Sequence, residues 1–155
     1  ELKIYIERNI RNASSKKVVV TFNTIEAVSA SSGAQVKGNG TIKGDSMDFS
    51  SSSGASMEVS INANYINSQS SSGSHLILSG TTDDLETDSS SGSTLDAKGL
   101  AAQNVRSEAS SGSTTIINPS DKLSADASSG GTIYYVKTPS QLDKETSSGG
   151  TVAQD

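Results

Sequence analysis

The sequence predicts an all-β protein, a parallel β-solenoid of about seven rungs of ~19 residues. Three observations carry this reading. The tripeptide Ser-Ser-Gly returns seven times, with glycine at 33, 54, 73, 92, 112, 130 and 149, in steps of 21, 19, 19, 20, 18 and 19 residues. Other residue types keep register with that marker: Val36, Met57, Leu76, Leu95, Thr115, Ile133 and Val152 each stand three residues after a glycine. Finally, 33 Ser, 13 Thr and 14 Gly stand against only 30 Leu, Ile, Val and Phe in 155 residues, with four Tyr and no Trp. So few large side chains cannot fill the middle of a conventional layered domain, whereas a thin coil needs few inward residues per turn.

The elements follow in chain order, all within one domain spanning 1–155. From 1 to 30 the tripeptide is missing, but Leu2, Ile4 and Ile6, then Val18, Val20 and Phe22, alternate with period two. They read as opening strands joined by the polar loop Arg8 to Lys17. From 31 to 155 each repeat offers two short strands. One runs through the apolar position three residues after glycine. The other runs through Met47, Ile66, Leu85, Val105, Leu123 and Leu142, each seven residues before the next glycine. Odd offsets share one face of an extended chain, so both sets point inward.

The residue directly after glycine is small throughout: Ala34, Ala55, Ser74, Ser93, Ser113, Gly131 and Gly150. Gly33, Gly54, Gly73, Gly92, Gly112, Gly130 and Gly149 are therefore read as structural turn glycines, at corners needing positive φ or close approach to the rung above. The neighbouring serines bond to local backbone or to one another as a hydroxyl ladder. Near the far end, Lys144 and Gln154 replace small or apolar residues and read as polar covers against further edge pairing. Helical repeats need a longer period and an amphipathic pattern that is missing here.

Charge and composition exclude several functions. With 12 Lys plus Arg against 17 Asp plus Glu, the net charge of −5 offers no basic face for nucleic acid. No run approaches the ~18 apolar residues that would cross a bilayer as a helix. The absence of Cys excludes disulfides and thiolate metal sites. Glu1 opens on strand-like alternation, so any export leader would already have been removed. No cofactor motif is read: the stretch GNGTIKG from Gly38 has no following helix to hold a phosphate. The pattern sets no oligomeric state.

Three outward columns carry residues with possible chemistry. Asp88, Glu108, Asp126 and Glu145 fall four residues before successive glycines, so stacking would place like charges on neighbouring rungs, with Arg106 as the base nearby. They are Ca²⁺ candidates, but a solvated acidic face is the preferred reading and no metal is assigned. His75, the sole histidine, stands in a column with Gln35, Ser56, Thr94, Thr114, Thr132 and Thr151 and has no acid at a fixed offset, so no catalytic residue is assigned. The Thr column lacks the second Thr per rung that an ice-ordering face needs. Ile77, Ile116 and Tyr134 share an outward offset, interrupted by Asp96, and form the candidate binding face for a glycan or protein surface.

The motif IEAVSASSGAQVKGNG from Ile25, with SSGASMEV and SSGSTLDAKGL further on, resembles the auto-transporter adhesin "head GIN" domain family of secreted Bacteroidetes proteins. The resemblance covers nearly the whole chain. It implies a single-stranded right-handed parallel β-helix, export to the cell envelope or beyond, and no recognised catalytic set. Members usually carry further sequence before the point matching Leu2, which implies a truncated or processed start. The strand pattern does not fix the hand; a left-handed coil would show apolar residues every six positions on three sides, and only two sides are well marked. The expected function is a non-catalytic, adhesin-like surface module, the alternative being a pectate-lyase-like, polysaccharide-active enzyme on the same fold.

Overall fold

The computed structural model describes residues 1–5 and 16–155. Every regular element among them is a strand: β1 (Ala27–Ala30), β2 (Gln35–Lys43), β3 (Ser46–Ser51), β4 (Ser56–Ser70), β5 (His75–Ser89), β6 (Thr94–Ala109), β7 (Thr114–Ala127), β8 (Thr132–Tyr135), β9 (Gln141–Thr146) and β10 (Thr151–Gln154). No helix among the described residues is long and apolar enough to cross a membrane. All ten strands join one sheet in the order β1-β3-β4-β5-β6-β7-β8-β10, with β2 beside β4 and β9 beside β7. The chain is a β-solenoid of about seven turns, ~19 residues apart.

Equivalent positions lie on one another. The inward column Val36, Met57, Leu76, Leu95, Thr115, Ile133, Val152 is in register across six parallel pairings. So is Met47, Ile66, Leu85, Val105, Leu123, Leu142. Met47, Met57, Leu76, Leu95, Leu123 and Ile133 are fully buried. Leu142 is 37% exposed, because no described rung lies over β9. Between the two columns the alternation slips by one: Asn64–Tyr65, Asp83–Asp84 and Gln103–Asn104 are consecutive exposed residues. This is the corner of the coil, and there the N–H groups of both Asn64 and Tyr65 donate to the Asp45 carbonyl. Pro119, which has no N–H to place in a ladder, occupies the same corner of β7. The longer repeat steps are absorbed as bulges, between Lys37 and Thr41 in β2 and between Asp96 and Ala101 in β6.

At the opposite end of each rung the tripeptide makes a tight turn. The seven tripeptide glycines have φ of 67–79°, and the serine before each has φ of 48–55°. Two successive left-handed residues are the signature of a type I′ turn, closed here by the N–H of the small residue after glycine bonding to the first serine's carbonyl at 2.7–3.2 Å. Most of these glycines have open space where a Cβ would go, so conformation and not crowding selects them. Each glycine N–H from Gly33 to Gly130 then donates to the left-handed serine of the next rung at 3.0–3.2 Å, a ladder running up the stack.

The serine ladder differs from expectation in its members. The hydroxyls that reach the adjacent rung belong to the residue after glycine: Ser74, Ser93 and Ser113 donate to the carbonyls of Ser51, Ser70 and Ser89, each at 2.8 Å. In the last two rungs Gly131 and Gly150 take that place. The closing bond shortens there to 2.7 and 2.8 Å, and a Cβ would collide with the carbonyls of Ala109 and Ala127.

The opening strands are corrected by the structure. Residues 1–5 and 16–26 carry no strand, and Leu2, Ile4, Val18, Val19, Val20 and Phe22 are exposed. Period-two alternation yields a strand when one face has something to be buried against, and consecutive Val18, Val19 and Val20 have neither face covered. Ile6 and most of the Arg8–Lys17 loop lie outside the described residues.

Two substitutions test this construction. Ser91→Asn replaces a left-handed serine by the residue that best tolerates that region, and is expected to stabilise the fold by up to about 1 kcal/mol in a denaturant melt. Gly80, at φ 116° in β5, has its would-be Cβ inside the Ile61 carbonyl of the rung below. Gly80→Ala is expected to cost roughly 2–4 kcal/mol in the same measurement.

Candidate functional site

Because the interior is filled, chemistry is confined to the outward columns, and the register decides which side chains meet. Glu58, Ile77, Asp96, Ile116, Tyr134 and Ala153 form one column in pairing register. Ile77, Ile116 and Tyr134 are half-buried. The column is not continuous: Glu58 is paired with Lys37 at 3.1 Å, and Asp96 turns back to its own strand, taking the Lys98 N–H at 3.1 Å and its ammonium at 3.3 Å. Only Ile116 and Tyr134 are adjacent. Beside them runs the column Gln35, Ser56, His75, Thr94, Thr114, Thr132, Thr151, in which His75 is exposed. Near the last rung the Lys144 ammonium lies 5.9 Å from the Tyr135 ring centroid, and Thr138 donates to Gln154 at 3.1 Å.

The other strand segment of each rung presents a strongly polar face. Asp88, Glu108, Asp126 and Glu145 occupy adjacent register positions, and all four are exposed. Among the described residues no three His, Cys, Asp or Glu side chains converge to hold a metal ion. Arg106 offsets the charge of Glu108 in this column and of Glu86 beside it, its Nη2 2.6 Å from Glu108 and its Nε 3.7 Å from Glu86. Neighbouring rungs use amides in the same way: Asn67 donates to Asp48 at 2.8 Å, Asn104 to Asp84 at 2.9 Å and Gln103 to Asp83 at 2.7 Å.

Within this face lies a feature that offset reasoning missed. Tyr65, 37% exposed at the corner, donates its hydroxyl to Glu86 Oε2 at 2.7 Å. An open groove of about 440 Å³ runs from it across the rungs past Asp84, Glu86, Asn104 and Arg106 to Lys122. Its floor includes the core residues Leu85 and Val105. Glu86 is one rung up and two positions along from Tyr65, a diagonal contact that stacking of equal offsets does not reveal. The available signal was the paired outward residues at the corner. The Tyr65 hydroxyl is held above its ordinary pKa, first by the bond to Glu86, then by burial and the carboxylates of Glu86, Asp48 and Asp84. It is therefore a neutral donor at physiological pH.

Asp88 records the cost of the acidic column. Its carboxyl is raised above the usual carboxylate value, first by desolvation and then by the charge of Glu108. A carboxyl whose folded pKa exceeds its unfolded value favours the fold when protonated. That contribution is complete below an unfolded value of about 4 and is lost as pH rises through the folded one. Asp88→Asn is accordingly expected to raise Tm slightly at pH 7 in low salt, with the margin over wild type shrinking on adding salt and closing below about pH 4.

The family model described as "Putative auto-transporter adhesin, head GIN domain" matches residues 1–139. No curated protein and no solved structure matches. A β-solenoid whose Ser-Gly turns and inward columns run through that span, with its chemistry on outward faces, accords with the resemblance carried by the Ser-Ser-Gly motifs, and the chain belongs to the auto-transporter adhesin head GIN domain family.

Proposed function

We propose that the chain is a non-catalytic, adhesin-like binding module that acts at the cell envelope or outside the cell, taking a glycan or protein surface on an outer face of the stack. Family membership supports the adhesin-like role. The observation that carries the ligand-binding reading is the outward column in which half-buried Ile116 and Tyr134 are register neighbours, with Ile77 two rungs before Ile116. Parallel stacking repeats a contact position at each rung, so an aliphatic side chain and a ring lie side by side on a surface that is otherwise polar, an arrangement suited to desolvating a partner.

The test pairs binding with turnover. The chain is screened on a glycan array and against immobilised envelope proteins, and the same preparation is incubated with acidic and neutral polysaccharides while reducing ends and unsaturated products are followed. Retention without product is expected. The double variant Ile116→Ser with Tyr134→Ser is expected to weaken retention at this face about tenfold or more, with Tm little changed. Product release in proportion to enzyme would overturn the reading in favour of a polysaccharide-active enzyme.

A further inference from the structure

The groove beginning at Tyr65 has a definite chemistry of its own. The phenol is tethered through its hydroxyl to Glu86 at 2.7 Å, on a backbone whose N–H bonds to the Asp45 carbonyl at 2.9 Å. What remains available is an exposed part of the ring, fixed at the edge of the groove. The polar atoms beyond it are charged or amide groups held in place by one another: Asn104 on Asp84, and Arg106 between Glu86 and Glu108. Asp84 has lone pairs left after its bond from Asn104, and Glu86 after its contacts with Tyr65 and Arg106, and these can accept hydroxyl protons. Lys122 makes no ion pair among the described residues and offers donors at the far end.

A flat ring beside closely spaced acceptors and donors matches a pyranose. Its C–H face is apolar and its rim carries vicinal hydroxyls that both donate and accept. Charge narrows the class. Asp48, Asp84, Glu86, Glu108 and Asp143 stand around this face, while Arg106 is already engaged by two carboxylates, so an anionic chain would meet net repulsion. Geometry narrows it further. Rungs repeat at roughly 4.8 Å, close to the length of one sugar in an extended chain, so consecutive sugars laid along the axis would meet equivalent positions on consecutive rungs.

We propose that the groove from Tyr65 to Lys122 binds a neutral, linear polysaccharide lying along the solenoid axis, one sugar stacked on Tyr65 and the following sugars hydrogen-bonded on successive rungs through Asp84, Glu86, Asn104 and Arg106. The site rests on the reading of the chain as a binding module but lies on a different strand segment from the Ile116 and Tyr134 column. The two are therefore separable by experiment.

Affinity electrophoresis of the whole chain provides the test, with gels containing β-1,3-glucan, mannan, xylan or hydroxyethylcellulose as neutral probes and polygalacturonate or alginate as acidic ones. At least one neutral polysaccharide is expected to retard the chain and the acidic ones are not. Tyr65→Ala is expected to weaken that retardation tenfold or more, Tyr65→Phe, which keeps the ring, by severalfold at most, and Asn104→Ala by severalfold. Unchanged far-ultraviolet circular dichroism and melting of each variant separate lost contact from lost fold. The site is refuted if Tyr65→Ala binds like wild type, if acidic polysaccharides are preferred, or if no neutral probe retards the chain. Loss of retardation in the Ile116 and Tyr134 variant alone would move the ligand to the other face, refuting this site and leaving the binding-module reading intact.

Discussion

The structure depends on the left-handed Ser-Gly pair and the bond it sends to the adjacent rung. A serine at φ near 50° is unfavourable for an L-residue, yet the same conformation recurs in all seven turns. It turns the serine carbonyl so that from Ser53 onward it receives the glycine N–H of the preceding rung, and it leaves the residue after glycine buried from Ala55 to Gly131. Once one turn sits on another, the alternation of the strands on either side is set, because a slip of one residue would exchange core and solvent faces. Residue insertions are displaced into bulges away from the turn, which keeps the rungs in register despite repeat steps that vary from 18 to 21 residues.

That alignment also explains how a hydroxyl-rich chain acquires an interior. Ser68, Thr87, Ser107 and Thr115 occupy core positions that would hold aliphatic residues in a wider fold. Each finds a partner delivered by stacking: Thr87 donates to Ser107 at 2.8 Å, Ser89 and Thr115 share a bond of 2.7 Å, and Ser68 reaches the Glu86 carbonyl at 3.1 Å. Among the described residues no buried side-chain nitrogen or oxygen lacks a partner. The desolvation penalty of a buried hydroxyl is thus offset at each site, so hydroxyl residues share the interior with the apolar columns Met47 to Leu123 and Met57 to Ile133 and with Phe49, Ile61, Leu78, Leu100 and Ile117.

Outside, the same repetition creates both a difficulty and an opportunity. Like charges recur on adjacent rungs, and Arg106, Asn67, Gln103 and Asn104 intervene where the columns would otherwise repel. Where the column has no such partner, at Asp126 and Glu145, the side chains extend into solvent. Contact groups that differ from rung to rung but keep a constant spacing suit an extended ligand better than a compact one. This is consistent with a family whose description is that of an adhesin.

The parallel solenoid, its turn glycines and its inward columns were legible because each follows from periodicity alone: equal offsets from a marker become stacked positions. The outward column of Ile77, Asp96, Ile116 and Tyr134 was legible for the same reason. The Tyr65 groove was not, since its defining bond to Glu86 joins unequal offsets and depends on where the corner interrupts the alternation. Nor was the left-handed serine, because a residue tolerated there only under constraint from the preceding rung carries no mark in its own identity. The first 26 residues show the converse: alternation at Val18, Val20 and Phe22 has the pattern of a strand without the partner that makes one. Periodicity by itself determined what stacks on what, and the tertiary structure decided which side chains meet across rungs, because contacts between unequal offsets arise only when the coil turns its corners.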